Sequence, residues 1–175
     1  MHPTDFVKRY KADAYAASAA FAVINPHKRT LSPCFILAQA AHESAWGERA
    51  PGNNFFGVKD SDGINGNEQL LGTTEYAATP TARFPVILSI KKVAVKLWRY
   101  VIKDHFRVYV TPREAFIDHA RFFIRNRRYH LALPLSEYPL EFTDAIAKAG
   151  YATDPNYARL LRSMCVRIAV LLTKP

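Results

Sequence analysis

Apolar positions change their period twice along this chain, and the changes divide it into three parts. In the first part Phe6, Tyr10 and Ala14 recur at helical spacing, which predicts a helix from Thr4 to about Phe21, with Thr4 as N-cap and Asp5 in its first turn. "NPHKRT" breaks it. Ser32 followed by Pro33 reads as an N-cap and a first-turn proline, opening a second helix that runs to about Trp46 and stops at Gly47. From Pro51 to Gly72 the pattern dissolves: six of the seven glycines fall between positions 47 and 72, with asparagine at 53, 54, 65 and 67, the chemistry of loops and turns.

The middle part is rich in β-branched and aromatic residues. "EQLLGTTEY", "RFPVILSI", "KVAVKLWRYVI" and "FRVYV" predict a small antiparallel sheet with Pro80 and Pro85 at its edges. Helical spacing then returns. Thr111, Pro112 and Glu114 form a capping-box signature ahead of a face made by Phe116, His119, Ala120 and Phe123. "LEFTDAIAKAG" ends at Gly150, and a last amphipathic helix is predicted with Asp154 as cap and Pro155 at its first position. The expectation is an α+β protein: one domain over residues 1–175, mainly helical, with an antiparallel β lobe at roughly 61–110 inserted between helical segments.

Composition narrows the class. With 175 residues, 49% of them apolar and 13% aromatic, the chain can bury a substantial core. The net charge of +9 suits an anionic partner, and nucleic acid, anionic lipid and anionic cell-wall polymer all meet that description. Cys34 and Cys165 sit in apolar helical runs and read as buried free thiols rather than a disulfide; no Cys/His spacing suggests zinc. The charged start "MHPTDFVKRYKADAY" shows no export signal, and "MCVRIAVLL" is short and carries Arg167, so no stable membrane insertion is expected.

The chemistry centres on "AQAAHESAWG". His42-Glu43 invites a zinc-protease reading, but that motif needs a second His four positions after the first, and Trp46 stands there. The remaining histidines, at 2, 27, 105, 119 and 130, show no ligand spacing, and neither metal nor cofactor is expected. Between Ser32 and Glu43 no residue carries a formal charge, so the helix should be packed on most sides. An acid at its C-terminal end meets an unfavourable dipole and an apolar surround, and both raise its pKa toward that of a proton donor near neutral pH. Gln39, one turn back, lies on the same face and is placed to hold it. The competing reading is a helix-end glutamate that points into solvent, and physics alone leaves both open.

Five blocks resolve the choice. "ILAQAAHESAWG", "NNFFGVKD", "TTEY", "FRVYVTPREAFIDHARFF" and "GYATDPNYARLL" resemble, in this order and across most of residues 31–165, the glucosaminidase family of peptidoglycan-cleaving glycoside hydrolases. These domains occur in flagellar rod-cap hydrolases, autolysins and phage lysins. The resemblance implies a lysozyme-like fold and cleavage of the β-1,4 bond after N-acetylglucosamine in the glycan strand. Position by position, it implies that Glu43 is the general acid, that Glu75 of "TTEY" is the second acidic residue, and that Tyr151 lines the active site. Asn53, Asn54, Phe56 and Gly57 match the loop below the family's cleft. Some thirty residues separate Glu75 from the "FRVY" block, so the β lobe is extended beyond that of short members.

The paired acids set the mechanistic options. A separation of roughly 5–5.5 Å suits direct nucleophilic attack and roughly 6.5–9.5 Å leaves room for water; the 2-acetamido group of the sugar offers a third route. Glu75 is expected to activate water, with Asp60, Asp62 and Glu68 next in line. Tyr151 is expected to steady the oxocarbenium ion or the acetamido group. Trp46, Phe55, Tyr109 and Tyr157 are candidates for sugar stacking, each with a core role as the alternative.

Three rivals remain: lysozyme-type muramidase specificity, a wall-binding module without catalysis, and a nucleic-acid binder suggested by "ARFFIRNRRYH". In that last stretch the helical pattern favours buried aromatics with Arg121, Arg125 and Arg128 solvated. The expected partner is therefore the peptidoglycan glycan strand, not nucleic acid, and the expected state a monomer. Without a signal peptide or an N-terminal rod-assembly segment, the expectation is a cytoplasmically made, lysin-type enzyme that reaches the wall through a holin or a dedicated export apparatus.

Overall fold

A computed structural model describes residues 1–152 and 154–173. Its first helix, α1 (Pro3–Ile24), starts ahead of the expected Thr4 cap. Proline needs no N–H partner in a first helical turn, so Pro3 lets the helix begin early; His2 becomes the cap, its Nδ1 accepting the Thr4 N–H at 3.4 Å. Phe6, Tyr10, Ala14, Ala17 and Phe21 are buried along one face.

Helix α2 (Pro33–Glu43) is the core. Every residue from Phe35 to Ala41 is buried, the signature of a helix covered all round. Helices α3 (Pro112–Arg125), α4 (Pro139–Lys148) and α5 (Tyr157–Leu172) pack about it and α1. Phe35 lies edge-on to Phe142 at 4.8 Å and to Phe123 at 5.8 Å, while Phe116 meets Phe55 at 5.2 Å. Each such fully buried ring contributes on the order of 1.5–3 kcal/mol. Thr111 caps α3 as expected, accepting the Glu114 N–H at 3.3 Å, but Glu114 reaches back to the Val110 N–H rather than to Thr111. At α5 the expected start moves: Asp154 accepts the Asn156 N–H at 2.8 Å in a turn, and Asn156 takes the cap position. Among the described residues no helix is long and apolar enough to cross a membrane.

The chain forms two compact units, Met1–Phe56 with Tyr109–Pro175, and Gly57–Val108. The second unit holds an antiparallel sheet of β1 (Glu68–Ala77), β2 (Val86–Ala94) and β3 (Leu97–Arg107), in the order β1-β3-β2. Four predicted strand segments thus become three. "KVAVKLWRYVI" contains a hairpin turn, made where Lys96 adopts φ 53°, and Phe106 and Arg107 end β3 rather than starting a strand. Tyr100 and Ile102 of β3 are buried; the Tyr100 hydroxyl donates to the Thr79 carbonyl at 2.8 Å and accepts the Ala82 N–H at 3.2 Å, pinning the β1–β2 connection.

Both cysteines are free, and they are neighbours: the Cys34 Sγ donates to the Cys165 carbonyl at 3.1 Å. Cys165 is buried as expected, whereas Cys34 is only half-buried because it lies in the first turn of α2, before the covered stretch begins.

Candidate active site

Helix α2 ends at Glu43, three residues before the expected stop at Trp46. The chain then runs through left-handed backbone at Ala45 (φ 49°), Trp46 (φ 60°) and Gly47 (φ 79°). Two of these are not glycine, and each costs on the order of 1–2 kcal/mol. Ser44, fully buried, offsets that strain: its hydroxyl donates to the Ala40 carbonyl at 2.5 Å and accepts the Gly47 N–H at 2.8 Å. The Trp46 N–H returns to the Ala41 carbonyl at 2.8 Å. The Ser and Gly of "HESAWG" therefore build a turn that fixes the backbone directly beside Glu43.

Gln39 does not hold Glu43. Fully buried, it donates its amide to the Tyr157 hydroxyl at 2.8 Å and, through its Oε1, meets His119 Nε2 at 2.8 Å. With Gln39 accepting, His119 carries its proton on Nε2. Phe56 stacks flat on the His119 ring at 3.7 Å, 6° from parallel. Tyr151 stacks on Tyr157 at 5.3 Å and on Phe123 at 5.9 Å, and His42 lies edge-on to Tyr157 at 5.9 Å. Residues from α2, the loop before the sheet, α3, the turn after α4 and α5 thus converge on one cluster in the helical unit.

The electrostatics single out Glu43. Its side chain reaches solvent, yet desolvation by the surrounding protein raises its pKa above the ordinary value, with the His42 charge working in the opposite direction. Burial also raises the phenols of Tyr151 and Tyr157, and the Glu43 charge adds to both. Burial holds His119 neutral, its pKa pushed down to about 3. The arrangement is an acid of raised pKa that follows His42, which packs on Tyr157, one of two stacked neutral phenols tied through Gln39 to a neutral His119.

Other predicted residues frame the cluster. Tyr109 is buried and donates to Asp118 at 2.7 Å; Asn53 donates to the Tyr109 carbonyl at 2.9 Å; Asn54 is buried in the same loop. Trp46 packs edge-on to Phe6 at 5.6 Å with the Arg167 guanidinium 4.9 Å from its ring centroid. Phe55 lies between Tyr10 and Phe116, in the core.

Glu75 belongs to the sheet unit, opposite Tyr100 in the β1–β3 register. Lys59 holds it at 2.7 Å and Asp104 at 2.8 Å. Burial works against the Lys59 charge, but the two carboxylates outweigh it and its pKa rises. The reserve acids are engaged elsewhere: Asp60 and Asp62 pair with Arg107, and Glu68 accepts the Asn65 and Gly66 N–H groups. Ser44, His119 and Lys59 carry structure that the sequence reading left unassigned. His119 had one signal, a polar residue on an otherwise apolar helical face.

The family model for glucosaminidase, described as mannosyl-glycoprotein endo-beta-N-acetylglucosaminidase, matches residues 8–169. The chain belongs to the glucosaminidase family. It is 36% identical over 177 residues to the peptidoglycan hydrolase FlgJ of Salmonella typhimurium, covering 97% of this chain and 48% of that protein. To the exo-glucosaminidase LytG of Bacillus subtilis it is 33% identical over 134 residues, covering 72% of this chain and 40% of the relative. The chain thus spans less than half the length of either. The structure of a C-terminally truncated glycoside hydrolase domain from Salmonella typhimurium FlgJ superposes with a TM-score of 0.69 at 31% identity, covering 97% of this chain and 99% of that one. The lysozyme-like α+β fold expected of a glucosaminidase is borne out.

Proposed function

We propose that this chain is a peptidoglycan hydrolase, an endo-β-N-acetylglucosaminidase that cleaves the β-1,4 bond after N-acetylglucosamine, with Glu43 as its general acid. The observation that carries the reading is the Glu43 carboxyl itself: fixed at the end of a buried helix, raised in pKa by desolvation, and seated within the family's own sequence block. In this reading Glu43 gives its proton to the glycosidic oxygen as the bond to the anomeric carbon breaks, and charge develops on an oxocarbenium-like sugar. Tyr151, neutral and stacked, steadies that charge or the 2-acetamido group. Glu75, positioned by Lys59, activates the water that completes hydrolysis. The enzyme acts as a monomer on glycan strands of the wall, which it reaches by release or dedicated export.

The test is digestion of purified peptidoglycan. Glu43→Gln is expected to lose cleavage by about 10²–10⁴-fold, the usual worth of general acid catalysis, with an unchanged circular dichroism spectrum. Mass spectrometry of wild-type products should show reducing-end N-acetylglucosamine. Reducing-end muramic acid would replace the bond assignment with the muramidase one, and wild-type cleavage by Glu43→Gln would end the assignment of the acid.

A further inference from the structure

The segment from Tyr76 to Lys103 carries six cations, Arg83, Lys91, Lys92, Lys96, Arg99 and Lys103, and no acid. It contains β2 and most of β3, and every residue of β2 is exposed. An edge strand open on both faces should read polar on at least one of them, since exposed contiguous aliphatics invite association. This one does not. Leu88 is 56% and Val95 86% exposed, and Ile90, Val93 and Leu97 are exposed with them. Two register irregularities fall in β2, between Ile87 and Ser89 and between Lys92 and Ala94, so Leu88 and Val93 are the bulged residues. Bulges at an edge ordinarily blunt strand addition, and here they display large apolar side chains. The hairpin end also runs past the sheet's other edge strand, because β1 stops where Ala77 pairs with Trp98. Trp98, half-buried, has the Lys92 ammonium 5.8 Å from its ring centroid.

These features choose among occupants. A second copy of the chain, or a peptide adding to the edge, would have to pair across two bulges. A self-pair would in addition bring together two copies of a strand that carries Lys91 and Lys92 and no acid. A hydrated polyanion would satisfy the cations but leave the aliphatics in water. An anionic phospholipid surface satisfies both at once: lysines and arginines meet the headgroups, aliphatic side chains enter the acyl boundary, and a tryptophan sits at the interface. We infer that the β2–β3 hairpin docks this protein peripherally on anionic phospholipid membranes, lying at the surface without spanning it.

Sedimentation with vesicles tests this, using the intact chain and comparing phosphatidylglycerol mixed into phosphatidylcholine with phosphatidylcholine alone. Binding is expected to the mixed vesicles only, to weaken with salt, and to shift the tryptophan emission to shorter wavelength in the wild type but not in Trp98→Phe. The charge-reversed variant Lys91→Glu/Lys92→Glu/Lys96→Glu is expected to lose about 10²-fold or more in vesicle affinity. Val93→Ser/Val95→Ser keeps every charge and is expected to lose about tenfold, with peptidoglycan cleavage unchanged as evidence that the fold is intact. Equal binding to phosphatidylcholine alone, or retained binding by the charge-reversed variant, would overturn the proposal. So would full affinity in the serine variant, which would reduce the effect to attraction between a basic surface and any polyanion. A hairpin-dependent dimer without vesicle binding would overturn it in favour of self-association.

Discussion

Lys59 holds Glu75 by an ion pair of 2.7 Å and, with the same ammonium, holds Asp104 at 2.8 Å. One cation from a loop therefore sets the position of the carboxylate proposed to activate water. Both acids are partly solvated, so the pairs themselves are worth about 0.2–1 kcal/mol each to stability. Their effect should be on chemistry instead. In Lys59→Met the Glu75 carboxylate loses the ammonium that positions it and is left facing Asp104 without a counter-charge. Peptidoglycan cleavage should fall about tenfold, equivalent to about 1.4 kcal/mol in the barrier, as the carboxylate loses its fixed position. Asp104→Asn, which leaves the Lys59–Glu75 pair in place, should stay near wild type. Wild-type cleavage by Lys59→Met would move the second role toward Asp60, Asp62 or Glu68.

Glu43 gives a prediction with a sign. Desolvation raises its pKa in the fold above the ordinary 4.5. A raised acid favours the protonated native state, so its contribution is full below the unfolded pKa and is lost as pH climbs through the folded one. Glu43→Gln cannot ionise and escapes that loss. Its melting temperature should match wild type below about pH 4.5 and exceed it at neutral pH. The alkaline limb of kcat/KM in the wild type should report the same group. His42 lowers the Glu43 pKa, so His42→Gln should move that limb to higher pH.

His119 titrates in the opposite sense. Buried and hydrogen-bonded, it holds its pKa near 3, against 6.5 when solvated. A depressed group contributes stability above the unfolded pKa and loses it as pH falls, because the unfolded chain takes up the proton first. Between about pH 6.5 and 3 wild-type stability should decline by up to about 1.4 kcal/mol per pH unit from this residue. Gln39→Leu should cost on the order of 1–3 kcal/mol for each group it strands, the His119 ring N–H and the Tyr157 hydroxyl. It should also reduce kcat more than it raises KM, because Tyr157 supports the Tyr151 ring; a purely structural Gln39 would lower stability and leave kcat alone.

The helices were legible because local chemistry announces them. Pro33, Thr111 and the repeats of Phe and Ala at helical spacing carry their own start signals and buried faces. Glu43 stood out because an uncharged run ends in it, but that pattern left a solvent-pointing glutamate open, and only the resemblance to the glucosaminidase family chose between the two. The misses have a common physical cause, which is that their partners are distant in sequence or their backbone is unusual. Gln39 was placed on the correct face, but its partners lie 80 and 118 residues away, and no local pattern names them. Lys59 sits in a glycine- and asparagine-rich loop that has no period to read. The hairpin turn at Lys96 lacks the Gly or Asn that such backbone favours, so two strands read as one. The end of α2 was misplaced for the same reason, since Ala45 and Trp46 do not advertise left-handed conformations.

That last feature makes a prediction of its own. The Ser44 side chain ties the end of α2 to the left-handed turn, joining the Ala40 carbonyl to the Gly47 N–H. Ser44→Ala removes both bonds from a fully buried position and should cost about 1–3 kcal/mol. Because Glu43 immediately precedes it, the same change should let the acid wander, and misplaced groups commonly lose about 10²-fold in rate. Gly47→Ala provides the contrast. A Cβ there meets the Phe6 ring at 3.5 Å, an ordinary contact, so its cost comes from forcing alanine to φ 79°, about 1–2 kcal/mol. Gly47→Ala keeps the Ser44 hydroxyl and should retain most activity per folded molecule, while Ser44→Ala should not. Equal specific activity in the two variants, measured well below their melting temperatures, would show that Ser44 serves the fold alone.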